Sequence, residues 1–160
     1  MAIRKILTEP DQFLRKKSIE VDQVDNSIRS LMDDMIETMY AAPGIGLAAI
    51  QIGVPKRVIV IDLSRNGEKK QPMYFVNPKI VSNSDSDASY EEGCLSVPNQ
   101  FAEINRPDKC DVHYLDYEGK KKNLKAEGLL ATCIQHEMDH LEGILFIDYL
   151  SKLKKNMIIK

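Results

Sequence analysis

The sequence predicts an α+β fold in which mostly antiparallel strands wrap a central helix, with one helix nearer the amino terminus and a short one near the carboxy end. Three observations carry this expectation. Apolar residues recur at helical spacing over residues 27–41, they do so again over 128–141, and between the two stretches short β-branched runs alternate with turn residues. The chain has 160 residues, which fits one domain spanning 1–160.

In the first helix Ile28, Leu31, Met32, Met35, Ile36, Met39 and Tyr40 fall on one stripe, a pattern that reads as core packing. Asp25 or Asn26 can cap its start, and Pro43-Gly44 stops it. Strands are expected over 57–63, 74–76, 80–81 and 111–116, with tight turns at Asn66-Gly67 and Glu118-Gly119. The polar stretch 82–89 reads as a solvated loop. In the second helix Leu129, Leu130, Cys133, Ile134, Met138 and Leu141 are apolar, and Gly143 suits its end. A short apolar segment, 144–150, precedes a tail that carries Lys152, Lys154, Lys155 and Lys160 and no acid.

With 22 basic and 24 acidic side chains the formal charge is −2, against the basic excess by which dedicated DNA binders displace counterions. No run approaches the roughly 18–20 apolar residues of a membrane-spanning helix. The first residues lack the apolar core of a secretory signal. A cytoplasmic protein is therefore expected, and a reducing compartment would keep Cys94, Cys110 and Cys133 as thiols.

The second helix carries His136-Glu137-Met138-Asp139-His140, the H-E-x-x-H pattern. Residues i and i+4 lie one turn apart on one face, so both imidazoles can close on one divalent ion with the glutamate beside it. This makes the central helix the expected metal-binding helix. A third ligand must come from elsewhere. The metzincin pattern fails because Phe146 occupies the final histidine position, and the thermolysin-like route fails because no glutamate follows Glu142.

Upstream residues, or the poorly placed Asp148, remain as sources. Cys133 shares the face of the histidines, but seven residues at about 1.5 Å each put it roughly 10 Å along the axis from His140. It reads as a residue lining the pocket beside the ion. Cys110 alternates with Val112 and Tyr114 as a buried small hydrophobe, and His113 lies on the opposite, surface side of that strand. Cys94 stands in Glu92-Gly93-Cys94-Leu95-Ser96, where glycine permits close backbone approach. A thiolate from there completes a Cys-His-His set with an open fourth position, the ligand count of catalytic sites.

Gly44-Ile45-Gly46-Leu47-Ala48-Ala49-Ile50-Gln51, then Glu92-Gly93-Cys94-Leu95-Ser96, then Gln135-His136-Glu137-Met138-Asp139-His140 resemble the three ordered motifs of peptide deformylase, and the likeness covers nearly the whole chain. The resemblance implies a metal-dependent hydrolase that removes the formyl group from the formyl-methionine of nascent peptides and releases formate. It implies that Cys94, His136 and His140 bind the ion, that Glu137 is the general acid/base, and that Gln51 and the backbone N–H of Leu95 stabilise the oxyanion. It implies Fe2+ in cells, while the ligand set also admits Zn2+, Ni2+ and Co2+.

The resemblance further implies that peptide runs as an added strand between Ile45 to Leu47, including Gly46, and the stretch near Ser89 to Glu91. Leu129, Thr132, Cys133 and Ile45 would hold the methionine side chain. Two features depart from many relatives: Ile50 replaces a proline, and Phe101 stands where some present an arginine to the peptide. Arg106 is expected to pair with Glu92 behind the metal loop. The lysine tail reads either as a solvated helix end or, by resemblance to bacterial relatives, as a dock on the ribosome near the exit tunnel. A small metalloprotease and a non-catalytic binder of formylated peptides are the rival readings.

Overall fold

The computed structural model describes residues 2–65 and 67–150. The first helix, α1 (Asn26–Ala41), starts where Asp25 Oδ1 accepts the Ile28 N–H at 3.1 Å, which satisfies one of the donors a helix start leaves free. Its stripe of Ile28, Leu31, Met32, Met35 and Met39 is buried. These side chains pack on a five-stranded sheet of order β1-β2-β3-β6-β7, antiparallel throughout, built from β1 (Gly46–Ala48), β2 (Val58–Ile61), β3 (Met73–Asn83), β6 (Lys109–Leu115) and β7 (Lys121–Glu127).

β2 is buried at all four positions because helices cover both of its faces. Val58 and Val60 join the α1 cluster, while Ile59 and Ile61 join a second cluster with Phe75, Val112, Ala126, Ile134 and Leu141. The last two of these belong to α2 (Gly128–Leu141), the central helix, most of whose residues are buried. A separate hairpin, β4 (Asp87–Cys94) and β5 (Val97–Pro107), closes over the other side of α2, with Leu95 and Ser96 forming its turn. The 3-10 turn Phe146–Tyr149 follows and packs Leu145, Phe146 and Ile147 on Val97 and Ile104.

Several strand expectations need correction. The stretches 74–76 and 80–81 are one strand, β3, whose register shifts between Val76 and Lys79. The Asn77-Pro78 break is a bulge: Asn77 takes φ 50°, a conformation asparagine tolerates, and its side chain holds both backbone groups of Val21 at 2.8 Å. Residues 82–89 are not a loop. β3 runs to Asn83 and β4 begins at Asp87, with the intervening turn tied down by Ser84 Oγ and Ser86 Oγ donating to Asp108 Oδ1.

β5 and β7 were not expected, since β7 turns mainly polar side chains outward and sends in little beyond Leu124 and Ala126. A polar, lysine-rich edge is how sheets discourage further pairing. Among the described residues no helix is long and apolar enough to cross a membrane. The turn residue Asn66 and the lysines of 151–160 lie outside the described residues, and with them the expectation of a docking tail.

Candidate metal centre and substrate cleft

Two elements bring three side chains to one point. Cys94 ends β4, and His136 and His140 sit one turn apart on α2. Their ligand atoms all lie within 4.8 Å of one another, the only such set of His, Cys, Asp or Glu among the described residues. Cys94 Sγ is 3.3 Å from His140 Nε2, and the Ser96 N–H approaches the same sulfur at 3.4 Å.

His136 is oriented from behind. Its Nδ1 is 2.9 Å from Glu92 Oε1, and since a carboxylate can only accept, Nδ1 carries the hydrogen of that bond and Nε2 is the ring nitrogen left to face the site. Arg106 grips Glu92 with Nε to Oε2 at 2.7 Å and Nη2 to Oε1 at 3.0 Å, the pairing expected from the sequence, and adds Nη1 to Asp139 Oδ2 at 2.8 Å. Burial opposes ionisation of Glu92, but the hydrogen bonds from His136 and Arg106 outweigh it and hold the carboxyl below its usual range. Burial and the neighbouring His136 keep His140 well below the ordinary imidazole value, which leaves it a neutral ligand donor.

Glu137 follows His136 on α2 and is buried. Burial first, with Glu92 adding and His136 opposing, pushes its carboxyl up to about 7, where a group can both take and give a proton at neutral pH. Its Oε1 is buried without a hydrogen-bond partner among the described residues. Such an orphan oxygen beside a thiol and two imidazoles is what a site built for an ion and its water provides, so these residues fit a divalent metal. Gly46 makes room: a Cβ there would lie 2.5 Å from Glu137 Oε2.

Gln51 is almost fully buried and fixed at both ends of its amide. Oε1 accepts the Ala48 N–H at 2.9 Å, which assigns the amide, and Nε2 points to Ser96 Oγ at 3.0 Å and Cys94 Sγ at 3.6 Å. A cleft of about 680 Å³ opens over the group, lined by Ile45, Gly46, Gln51, Cys94, Leu95, His136 and Glu137 together with Pro43, Val97 and Phe101. Phe101 is 63% exposed at its rim.

The cleft wall does not include four of the expected substrate-binding residues. Glu91 is an exposed position of β4, Leu129 is exposed at the start of α2, and Thr132 and Cys133 are buried in α2. Cys133 packs into the second core cluster, and burial, reinforced by Glu137 and Glu92, pushes its thiol up to about 12, so it stays neutral. Residues the sequence reading missed are Ser96, which faces both Gln51 and Cys94, and Asp139 and Tyr149 behind Arg106. Ser96 lay inside the second motif, whereas the Tyr149 contact crosses a chain turn that no local pattern encodes.

An α+β fold that presents a thiol, two imidazoles and a buried glutamate at the floor of a cleft defines a metal-dependent hydrolase of the H-E-x-x-H kind. The family model for polypeptide deformylase matches residues 3–156, and the chain belongs to that family. It is 69% identical over 160 residues to the peptide deformylase of Pelagibacter ubique, covering all of this chain and 93% of that protein. It is 63% identical to that of Phenylobacterium zucineum, over all of this chain and 95% of the relative. Among solved structures, the peptide deformylase of Ehrlichia chaffeensis in complex with actinonin is similar with a TM-score of 0.95 and 48% identity, covering 99% of this chain and 95% of that one.

Proposed function

We propose that Cys94, His136 and His140 hold one divalent ion and that Glu137, Gln51 and Leu95 use it to hydrolyse the formyl–nitrogen bond of N-formyl-methionyl peptides. The observation that carries this reading is the convergence of the three ligand atoms beside Glu137 at the cleft floor. Held there, the ion supplies Lewis acidity and lowers the pKa of water toward about 7. Glu137 takes a proton from the attacking water as its oxygen bonds to the formyl carbon. The carbon–nitrogen bond then breaks, Glu137 hands the proton to the departing amine, and formate and a free amino terminus leave. Gln51 Nε2 and the Leu95 N–H donate to the oxygen on which negative charge grows.

The peptide is proposed to lie between Ile45 and Gly46 on one side and Glu91 of β4 on the other, as an added strand. Leu129, Thr132 and Cys133 share one face of α2 with His136 and His140, and with Ile45 they are proposed to receive the methionine side chain. Fe2+ is the proposed ion in cells, with Zn2+, Ni2+ and Co2+ compatible with the same donors. We further propose a single catalytic domain over 1–160 that works in the cytoplasm on nascent chains, near the ribosomal exit tunnel.

Gln51→Ala is expected to lower kcat for a formyl-Met peptide by about 10²–10³-fold, the usual cost of losing one oxyanion donor. Its metal content should stay at the wild-type level. Following formate against internal peptide cleavage tests the reaction itself: formate alone supports deformylation, and internal cleavage alone would make this a protease.

A further inference from the structure

Behind the metal centre a chain of polar contacts runs to the protein surface, and its outermost link is Tyr149. We infer that Tyr149 is a positioning residue for the metal centre, whose hydroxyl acts through Asp139 and Arg106 on the Glu92 carboxylate that orients His136. This rests on the proposed metal site and adds to it a residue outside the three motifs.

Tyr149 ends the 3-10 turn Phe146–Tyr149 and is 52% exposed. Its hydroxyl donates to Asp139 Oδ2 at 2.7 Å, the same oxygen that accepts Arg106 Nη1 at 2.8 Å. Its ring also lies beside the Arg106 guanidinium, with Cζ 5.0 Å from the ring centroid, so the phenol holds Arg106 by a face and, through Asp139, by an edge. Asp139 is partly open to solvent, with its side chain 20% exposed, whereas those of Arg106 and Glu92 are 5% exposed. Water can therefore compete for Asp139 unless another group pins it. The tyrosine hydroxyl does so, and the two remaining Arg106 bonds then set the plane of the Glu92 carboxylate.

The two histidines are not supported alike. His140 Nδ1 has no hydrogen-bond partner among the described residues, so the polar support of the imidazole pair comes through Nδ1 of His136 and the chain that ends at Tyr149. Groups that fix a ligand imidazole from outside the coordination sphere typically change metal affinity by 10–100-fold. A residue several contacts removed should deliver less, at or below the bottom of that range.

The test is Tyr149→Phe, which keeps the ring beside Arg106 and removes only the hydroxyl of an exposed side chain. Cobalt affinity would be read by chelator competition, and the ligand field by visible absorption of the Co2+-loaded protein. Cobalt affinity about 3–10-fold weaker, an altered cobalt spectrum and lower kcat at unchanged KM are expected, with the thermal midpoint little changed. A cycle with Asp139→Ala supplies the second arm: once Asp139 is gone, removing the hydroxyl should have no further effect. Wild-type cobalt affinity and spectrum in Tyr149→Phe, or full additivity with Asp139→Ala, would overturn the inference. A wild-type protein that takes up no cobalt would instead overturn the metal site itself.

Discussion

Replacing Glu137 by alanine is expected to reduce formate release by about 10²–10⁴-fold, the range a positioned general acid/base supplies, while the protein keeps its metal. Both halves follow from the geometry. Glu137 is not one of the three clustered ligand residues, so the donors Cys94, His136 and His140 survive the change. Its buried carboxyl, pushed up to about 7, is the nearby group able to accept a proton from water and return it to an amine at neutral pH. Glutamine at 137 should behave like alanine, because an amide fills the space but cannot shuttle the proton. Parallel formate and metal assays check the expectation; turnover within a few-fold of wild type would remove Glu137 from the reaction.

Arg106→Ala is expected to have the largest effect on stability. Glu92 and Arg106 are buried together, and removing the cation leaves a desolvated carboxylate with the His136 Nδ1–H as its remaining hydrogen-bond donor among the described residues. Breaking a buried pair in this way typically costs about 3–5 kcal/mol, a large fraction of the stability of a domain this size. The same change frees the carboxylate that orients His136, so metal affinity should fall by roughly 10–100-fold. Arg106→Lys should recover part of the stability but little of the metal affinity, because an ammonium cannot make the two-pronged grip on Glu92 while also reaching Asp139. Urea unfolding and chelator competition separate the two effects. Wild-type metal affinity in both variants would show that Glu92 holds His136 without help.

The helices were legible because each carries an unbroken apolar stripe with a cap or a glycine stop, as in Asp25 before α1 and Gly143 after α2. The strands were read less well. β7 alternates lysines with only two inward apolar side chains, and β4 and β5 pair mainly with each other, so neither shows a continuous hydrophobic signal. The clustering of three side chains was legible, the histidines from their spacing and Cys94 from its glycine-flanked motif, because donor sets of this kind draw on few residue types. Pocket walls were harder. Thr132 and Cys133 share the helical face of the ligands, yet whether a residue on that face meets the cleft or the core depends on how β4 and β5 lie against α2.

The most direct measurement is metal content and formate release from a formyl-Met tripeptide, on protein purified without oxygen, before and after removal of the ion and in Cys94→Ala. We expect ~1 ion per chain and formate release that stops when the ion is stripped and returns when Fe2+ or Co2+ is restored. Cys94→Ala should hold little ion and release little formate. Full deformylation by the stripped protein, or by Cys94→Ala with no bound ion, would contradict it.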